Sequence, residues 1–242
     1  MSRWLELDGA VNVRDLGGLP TQDGRATRPG VVLRSDNLQA LSERDVQQLR
    51  ELGVGTVVDL RTPVEVTQEG PGPLVDVVRH VNLDLIPSWG AERAVPHEKR
   101  EQGDLSHFYL TYLDDAPDAV VQALREIVAA KGATVVHCAA GKDRTGVVCA
   151  LALVVAGVLR EEVVADYALT GERIEKIYDR LVGAASYADD LRDRAIDDMR
   201  PQALSMRHFL DRLDERGGVV AWLTEHGFGP DEQAALRERL VG

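Results

Sequence analysis

Cysteine is nearly absent from this chain: its 242 residues include two, Cys138 and Cys149. Two thiols so close in sequence make no disulfide framework, and no Cys-x-x-Cys pair marks a structural zinc. Aromatic residues are scarce at 5%, so a core must be built mainly from Val, Leu, Ala and Ile. Positive charge is the minority sign: 28 Lys and Arg face 40 Asp and Glu, a formal net charge of −12. An acidic surface repels the nucleic-acid backbone and the anionic membrane face, which argues against a general nucleic-acid binder. It does not exclude an anionic substrate, because a local positive site can sit inside a negative envelope. The N-terminal MSRWLELDGA has no apolar core of signal-peptide length. The longest apolar run, Val147 to Leu159, is too short to span a bilayer and contains Gly157. With its free thiols, the chain is expected to be cytoplasmic and reduced; export by a non-classical route is left open.

What is present fits one globular domain covering 1–242: hydrophobic residues make up 44% and charged residues 28%, with no repeat and no low-complexity block. Val31-Val32-Leu33 and Thr56 to Leu60 read as strands, and Asp76 to Leu83 as another. Between the first two, Ser42 caps a helix through Leu52, with Asp45 as capping-box partner and Gly53 as the stop. Gly70-Pro71-Gly72-Pro73 reads as a turn. Trp89 to Asp104 is polar and irregular, an expected exposed loop that could close over a site. Ala116 to Lys131 puts Val120, Val121, Leu124, Ile127 and Val128 on one helical face. Ala133 to His137 reads as a buried strand and Thr145 to Val158 as a central, strongly apolar helix. The rest reads as helical: Glu161 to Leu181, Pro201 to Glu215, Gly218 to His226 and Asp231 to Leu240. Strands alternating with helices predict an α/β fold, with a short, mostly parallel sheet flanked by helices and a helical C-terminal half.

The chemistry concentrates in Val135 to Gly146, VVHCAAGKDRTG. A strand ends at His137, a turn follows, and a buried helix begins near Thr145. A turn feeding a helix N-terminus aims successive backbone N–H groups at one centre, which makes an anion site. Cys138 opens the turn and Arg144 closes it. A helix N-terminus and nearby cations favour thiolate over thiol, so Cys138 could act as a nucleophile without a separate base. The planar fork of Arg144 suits two phosphate oxygens. The amides of Ala139, Ala140, Gly141, Lys142, Asp143 and Arg144 complete the phosphate-binding loop. The Thr145 hydroxyl could donate to the sulfur and make it a better leaving group. Blander readings fit less well. Cys149, inside the apolar helix, reads as a small core residue. A nucleotide P-loop would need Gly at Val136 and Ser or Thr at Asp143. His137 beside Cys138 lacks further ligands at zinc spacing, so no metal is expected.

His137-Cys138, the five residues after it and Arg144-Thr145 resemble the signature loop of protein tyrosine and dual-specificity phosphatases. The fuller string HCAAGKDRTG is similar to that of the bacterial tyrosine/serine protein phosphatase family. Asn12 to Gly18 (NVRDLGG), Leu33 to Asp36 (LRSD), Val58 to Glu65 (VDLRTPVE) and the stretch Tyr167 to Leu181 resemble further motifs of that family, so the likeness covers most of the chain. The resemblance implies a protein tyrosine phosphatase-like fold, Cys138 as nucleophile and Arg144 as phosphate clamp. It also implies that Asp143, within the loop, is the general acid; Asp59, ending a strand in a matching motif, is the second candidate. Asp104, Asp114, Asp115 and Asp118 lie in the upstream range of the classical acid, but without a Trp-Pro-Asp context. Lys142 adds a positive charge of the kind lipid phosphatases of this superfamily carry, which implies that a membrane lipid head group is a further, less favoured, ligand. Arg14 and Asp15 are read as a structural pair near the site. Arg34, Ser35 and Asp36 either line the cleft or fix a strand end. The charged run Asp189 to Arg200, within the uncertain stretch 183–200, is a solvated helix face or part of a lid.

The expected reaction is hydrolysis of a phosphate monoester through a cysteinyl-phosphate, with no cofactor. Expected substrates are phosphotyrosine proteins, with phosphoserine, phosphothreonine or phosphoinositides beside them. A phosphatase for a small phosphate ester, such as a sugar or nucleoside phosphate, is the alternative within enzymes. A phospho-binding module without turnover and a rhodanese-like sulfurtransferase rank lower.

Overall fold

Residues that alternate along the buried strands divide between two cores, and the sheet lies between them. In the computed structural model, which describes residues 3–86, 104–192 and 195–242, five strands form one sheet: β1 (Arg14–Asp15), β2 (Val32–Ser35), β3 (Val54–Asp59), β4 (Arg79–Asn82) and β5 (Ala133–His137). Their order is β1-β2-β5-β3-β4, with β1 antiparallel to β2 and every other pair parallel. Val32, Val58 and Val136 face a large core, while Leu33, Val57 and Val135 face a smaller one. That is the period of two expected of strands covered on both sides. By the same period Arg34 lies on the large-core face, and Asp59 and His137 on the other. The α/β architecture with a mostly parallel sheet is as the sequence predicts.

The helices follow from local signals. α1 (Glu43–Glu51) starts at the predicted capping box, Ser42 accepting from the Asp45 amide and Asp45 from the Ser42 amide. α2 (Pro63–Glu69) has the same device in Thr62 and Glu65, with Pro63 in its first turn. α3 (Ser106–Asp115) and α4 (Pro117–Ala129) meet at Ala116. α5 (Asp143–Val155) is buried nearly all round, as its sequence predicts for a central helix. After it come α6 (Arg160–Leu169), α7 (Ile174–Val182), the single turn α8 (Ala188–Leu191), α9 (Ala203–Glu215), α10 (Gly218–Glu225) and α11 (Pro230–Leu240). α5 packs against α3, α4, α6, α10 and α11, and this layer forms the large core.

Three details depart from expectation. The run Asp76 to Leu83 is a strand only over β4, because Pro73–Asp76 forms a 3-10 turn first. The predicted helix 161–181 is broken by a 3-10 turn at Thr170–Arg173, where Gly171 weakens helix continuation. α2 and α3 had no counterpart in the sequence reading. The predicted loop 89–104 lies, Asp104 apart, outside the described residues. Among the described residues no helix is long and apolar enough to cross a membrane.

Candidate active site

Between the end of β5 and the start of α5 the chain closes a tight loop, and its carbonyls are tied down one after another. The Cys138 carbonyl faces His137 Nδ1 at 3.2 Å, and the Ala139 carbonyl accepts from the Asn37 amide at 3.0 Å. Asn12 Nδ2 donates to the carbonyls of Ala140, at 2.9 Å, and Gly141, at 3.3 Å. Arg34 Nη2 adds a second bond to Gly141, and the Lys142 carbonyl accepts from the Gly146 amide. In a planar trans peptide the N–H of the next residue points opposite its carbonyl. The amides of residues 139–143 therefore turn away from the surrounding scaffold, the arrangement of an anion-binding nest at a helix N-terminus. Gly141 is required here: its φ is 65°, and a Cβ would stand 2.4 Å from the Ser35 carbonyl oxygen.

Arg144 ends the loop inside the first turn of α5. Its Nη1 donates to the Leu60 carbonyl at 3.2 Å and to Glu65 Oε2 at 2.7 Å; Nη2 donates to Glu65 Oε1 at 2.9 Å. A guanidinium has five N–H groups, and these contacts use three. Among the described residues the Nε–H and the second Nη2–H have no acceptor and remain, side by side, as a fork of the shape a phosphate accepts. Burial alone would raise the Glu65 carboxyl, but Arg144 outweighs it and holds the group down at about 2. Burial works against the Arg144 charge in turn, and Glu65 more than restores it. Sequence reasoning missed Glu65 as a functional residue; Thr62-Pro63-Val64-Glu65, a capping box with Pro, was the signal for its helix.

The other predicted residues are placed as follows. Cys138 is buried at 2% exposure at the mouth of this loop. The Thr145 hydroxyl is buried without a hydrogen-bond partner among the described residues. Asp143 is half-buried, and its Oδ1 accepts from the Tyr109 hydroxyl at 2.6 Å. Lys142 Nζ donates to the Met199 carbonyl at 2.9 Å and lies 3.7 Å from Asp143 Oδ1, so its charge is shared with the 196–199 turn. Asp59 is fully buried. Arg61 Nε bonds both of its carboxylate oxygens and Arg61 Nη2 bonds Oδ2 at 2.6 Å. Burial pulls the Asp59 carboxyl up, and His137 and Arg61 outweigh it and leave it below its usual range. Asp59, His80 and His137 also form a cluster with metal-ligand spacing. Its carboxylate, however, is already gripped by the Arg61 guanidinium, whose positive charge opposes a second cation there. Cys149 sits in α5, where burial pushes its thiol up to about 11, as befits an inert core residue.

The quoted N-terminal motifs form the loop's support. Arg14 does not pair with Asp15 as expected; its Nε lies 3.2 Å from Asp166 Oδ1, and its Nη1 bonds Asn12 Oδ1. Asp166 reaches this far because α6 packs directly behind α5, and its Oδ2 also accepts from Arg34 Nη1 at 2.7 Å. Burial alone would raise the Asp166 carboxyl, yet Arg14, Arg34 and Arg3 hold it well below the usual carboxylate range. Asp36 accepts from the amides of Val11 and Asn12, so the second motif braces the first. The 183–200 segment, where described, lies against the loop. Tyr187, Leu191 and Met199 pack with Ala139 and Ala140, and Ser186 bonds Glu69 and Gln68 of α2.

A loop of tethered carbonyls that opens on a buried cysteine and closes on an arginine, at the carboxyl end of a parallel strand, is the arrangement that suits an enzyme of phosphate esters. The family model described as the tyrosine phosphatase family matches residues 5–242, and the chain belongs to that family of phosphate monoester hydrolases. The triple specificity protein phosphatase PtpB of Mycobacterium tuberculosis is 34% identical over 204 residues, covering 73% of this chain and 72% of that protein. A Cupriavidus necator protein that carries the name tyrosine-protein phosphatase is 33% identical, covering 70% of this chain and 63% of its own length. Among solved structures, TpbA of P. aeruginosa is 23% identical, covers 73% of this chain and 86% of its own, and has a TM-score of 0.35.

Proposed function

We propose that Cys138 attacks the phosphorus of a phosphate monoester and carries the phosphoryl group as a cysteinyl-phosphate. The loop amides and the remaining fork of Arg144 hold the equatorial oxygens, with Glu65 keeping the guanidinium aimed. Asp143 delivers its proton to the leaving oxygen as the P–O bond breaks, then takes one from the water that forms the new P–O bond and releases the sulfur. Thr145, whose hydroxyl has no hydrogen-bond partner among the described residues, donates to that departing sulfur. Asp59 has a structural role in this reading: its oxygens belong to Arg61, and it carries no spare proton at neutral pH. The observation that carries the reading is the series of tethered loop carbonyls, which turns consecutive amides away from the scaffold.

The favoured substrates are phosphotyrosine proteins. Phosphoserine, phosphothreonine and phosphoinositides stand beside them, and a relative named as a triple specificity protein phosphatase, matching 73% of this chain, supports a breadth of substrates. Two unpaired thiols suit a reducing, cytoplasmic compartment. A panel of phosphopeptides, a phosphoinositide and small sugar and nucleoside phosphates tests the reading on the parent and two variants. Cys138→Ser should lose turnover on every ester by at least about 10⁴-fold while still binding substrate. Asp143→Asn should lose about 10²-fold or more on esters with poor leaving groups and far less on activated aryl esters. Equal activity of parent and Cys138→Ser would remove the assignment, and preference for the small esters would move the protein to metabolite chemistry.

A further inference from the structure

Tyr109 belongs to none of the motifs above, yet its hydroxyl touches the residue read as the acid. We propose that Tyr109 is a positioning residue that occupies Oδ1 of Asp143 and thereby confines the transferable proton to Oδ2; this rests on the reading of Asp143 as the acid.

The argument is one of donors and acceptors. Tyr109 is fully buried, and its hydroxyl lies 2.6 Å from Asp143 Oδ1 and 2.5 Å from the Tyr167 hydroxyl. Each phenol has one proton. Burial, reinforced by the Asp143 charge, drives Tyr109 well above its ordinary value of 10, so it stays a neutral donor. A carboxylate only accepts, so the Tyr109 proton points at Oδ1 and Tyr167 must donate to Tyr109. The row has a direction, Tyr167 to Tyr109 to Asp143. The Tyr109 ring cannot swing out of it, because Tyr167 and Phe209 stand edge-on to it, each with ring centroids 6.0 Å away. Lys142 Nζ, 3.7 Å from the same Oδ1, adds to the occupancy of that oxygen. Oδ2 has no hydrogen bond among the described residues.

When Asp143 is protonated, a proton on Oδ1 would face the Tyr109 proton head-on. Relieving that would turn the Tyr109 proton toward Tyr167 and leave the Tyr167 proton without an acceptor among the described residues. The proton therefore sits on Oδ2. In the first half-reaction the Oδ2–H bond breaks and the proton passes to the leaving oxygen as the P–O bond breaks. In the second, Oδ2 takes a proton from the attacking water while Tyr109 still holds Oδ1. One oxygen is fixed for the whole cycle and the other does the transfer.

The test is kcat/KM, which reads the first half-reaction alone, on a series of phosphate esters graded by leaving group, from 2,4-dinitrophenyl phosphate to phenyl phosphate and a phosphoserine peptide, with the full chain. Tyr109→Phe keeps the ring and removes the hydroxyl. The expected result is a loss in kcat/KM of about tenfold or more for phenyl phosphate and phosphoserine, at least fivefold larger than the loss for the dinitrophenyl ester. Tyr167→Phe should show the same graded pattern with smaller amplitude, and it carries the test if Tyr109→Phe fails to fold. An equal loss on every ester, or no loss, would overturn the proposal. Asp143→Asn, measured in parallel, separates the two ideas. If it shows the graded pattern and neither tyrosine variant does, only the positioning role fails; if it shows none, the acid assignment fails first.

Discussion

Arg144 and Glu65 show how one side chain can serve the fold and leave its chemistry intact. Glu65 takes the end of the guanidinium, and the side of the fork stays open. Lys cannot copy this, because an ammonium carries no second fork. Arg144→Lys should therefore lower kcat by about 10²–10³-fold or more on all esters alike, since transition-state charge forms whatever the leaving group. Steady-state kinetics on an activated and a poor ester checks this; a loss confined to the poor ester would assign Arg144 to the leaving group and not to the equatorial oxygens. The contrast with Tyr109→Phe is diagnostic, because the role proposed for Arg144 is independent of the leaving group and that proposed for Tyr109 is not.

At the scale of elements, the loop is shaped by what lies behind it. Asn12 holds the Ala140 and Gly141 carbonyls from the segment before β1, and Arg34 holds Gly141 from β2. Asn12→Ala leaves buried carbonyls short of a donor and strips Arg14 of its Asn12 contact. The expected cost is about 2 kcal/mol of stability, with a loss of kcat that does not depend on the leaving group. Chemical denaturation with the same ester series measures both, and unchanged kcat would mean that the loop keeps its shape without this tether. How much of this was legible follows from the same elements. The strand, loop and central helix from Ala133 to Val155 were visible because β-branched residues, Gly141 and an unbroken apolar run mark them locally. The proposed site residues Cys138, Arg144 and Asp143 lie on that loop. α3 was not visible: its N-cap, Leu105, has no polar side chain to mark a helix start, and it follows a polar stretch that reads as loop. Its buried Tyr109, Leu110, Tyr112 and Leu113 have helical spacing and could have revealed it. Asp166 could not be tied to Arg14 and Arg34 by any local pattern, because residues so far apart in sequence meet only once α6 has packed.

The whole molecule carries its ionic network inside, under an acidic exterior. Arg14, Arg34 and Arg61 are all fully buried, and each depends on an ionised carboxylate, Asp166 or Asp59. Both carboxyls, and Glu65, sit below their ordinary range in the folded state. A depressed carboxyl contributes stability that is present above its unfolded value near 4 and is lost as pH falls toward the folded value. His137 acts earlier. Burial lowers it from 6.5 to about 4, so between those values the unfolded chain binds a proton that the native one refuses. Its contribution is intact above pH 6.5 and falls as pH drops to about 4, by about 3 kcal/mol. Stability should thus decline in two stages, gently from pH 6.5 and steeply below 4. Urea unfolding from pH 8 to 3 would record the profile. His137→Gln should flatten the first stage and leave the second, whereas Asp166→Asn should destabilise by about 3–5 kcal/mol at neutral pH, because two buried guanidinium groups lose their shared counter-charge. A variant at Asp166 as stable as the parent at pH 7 would mean that Arg14 and Arg34 find compensation elsewhere.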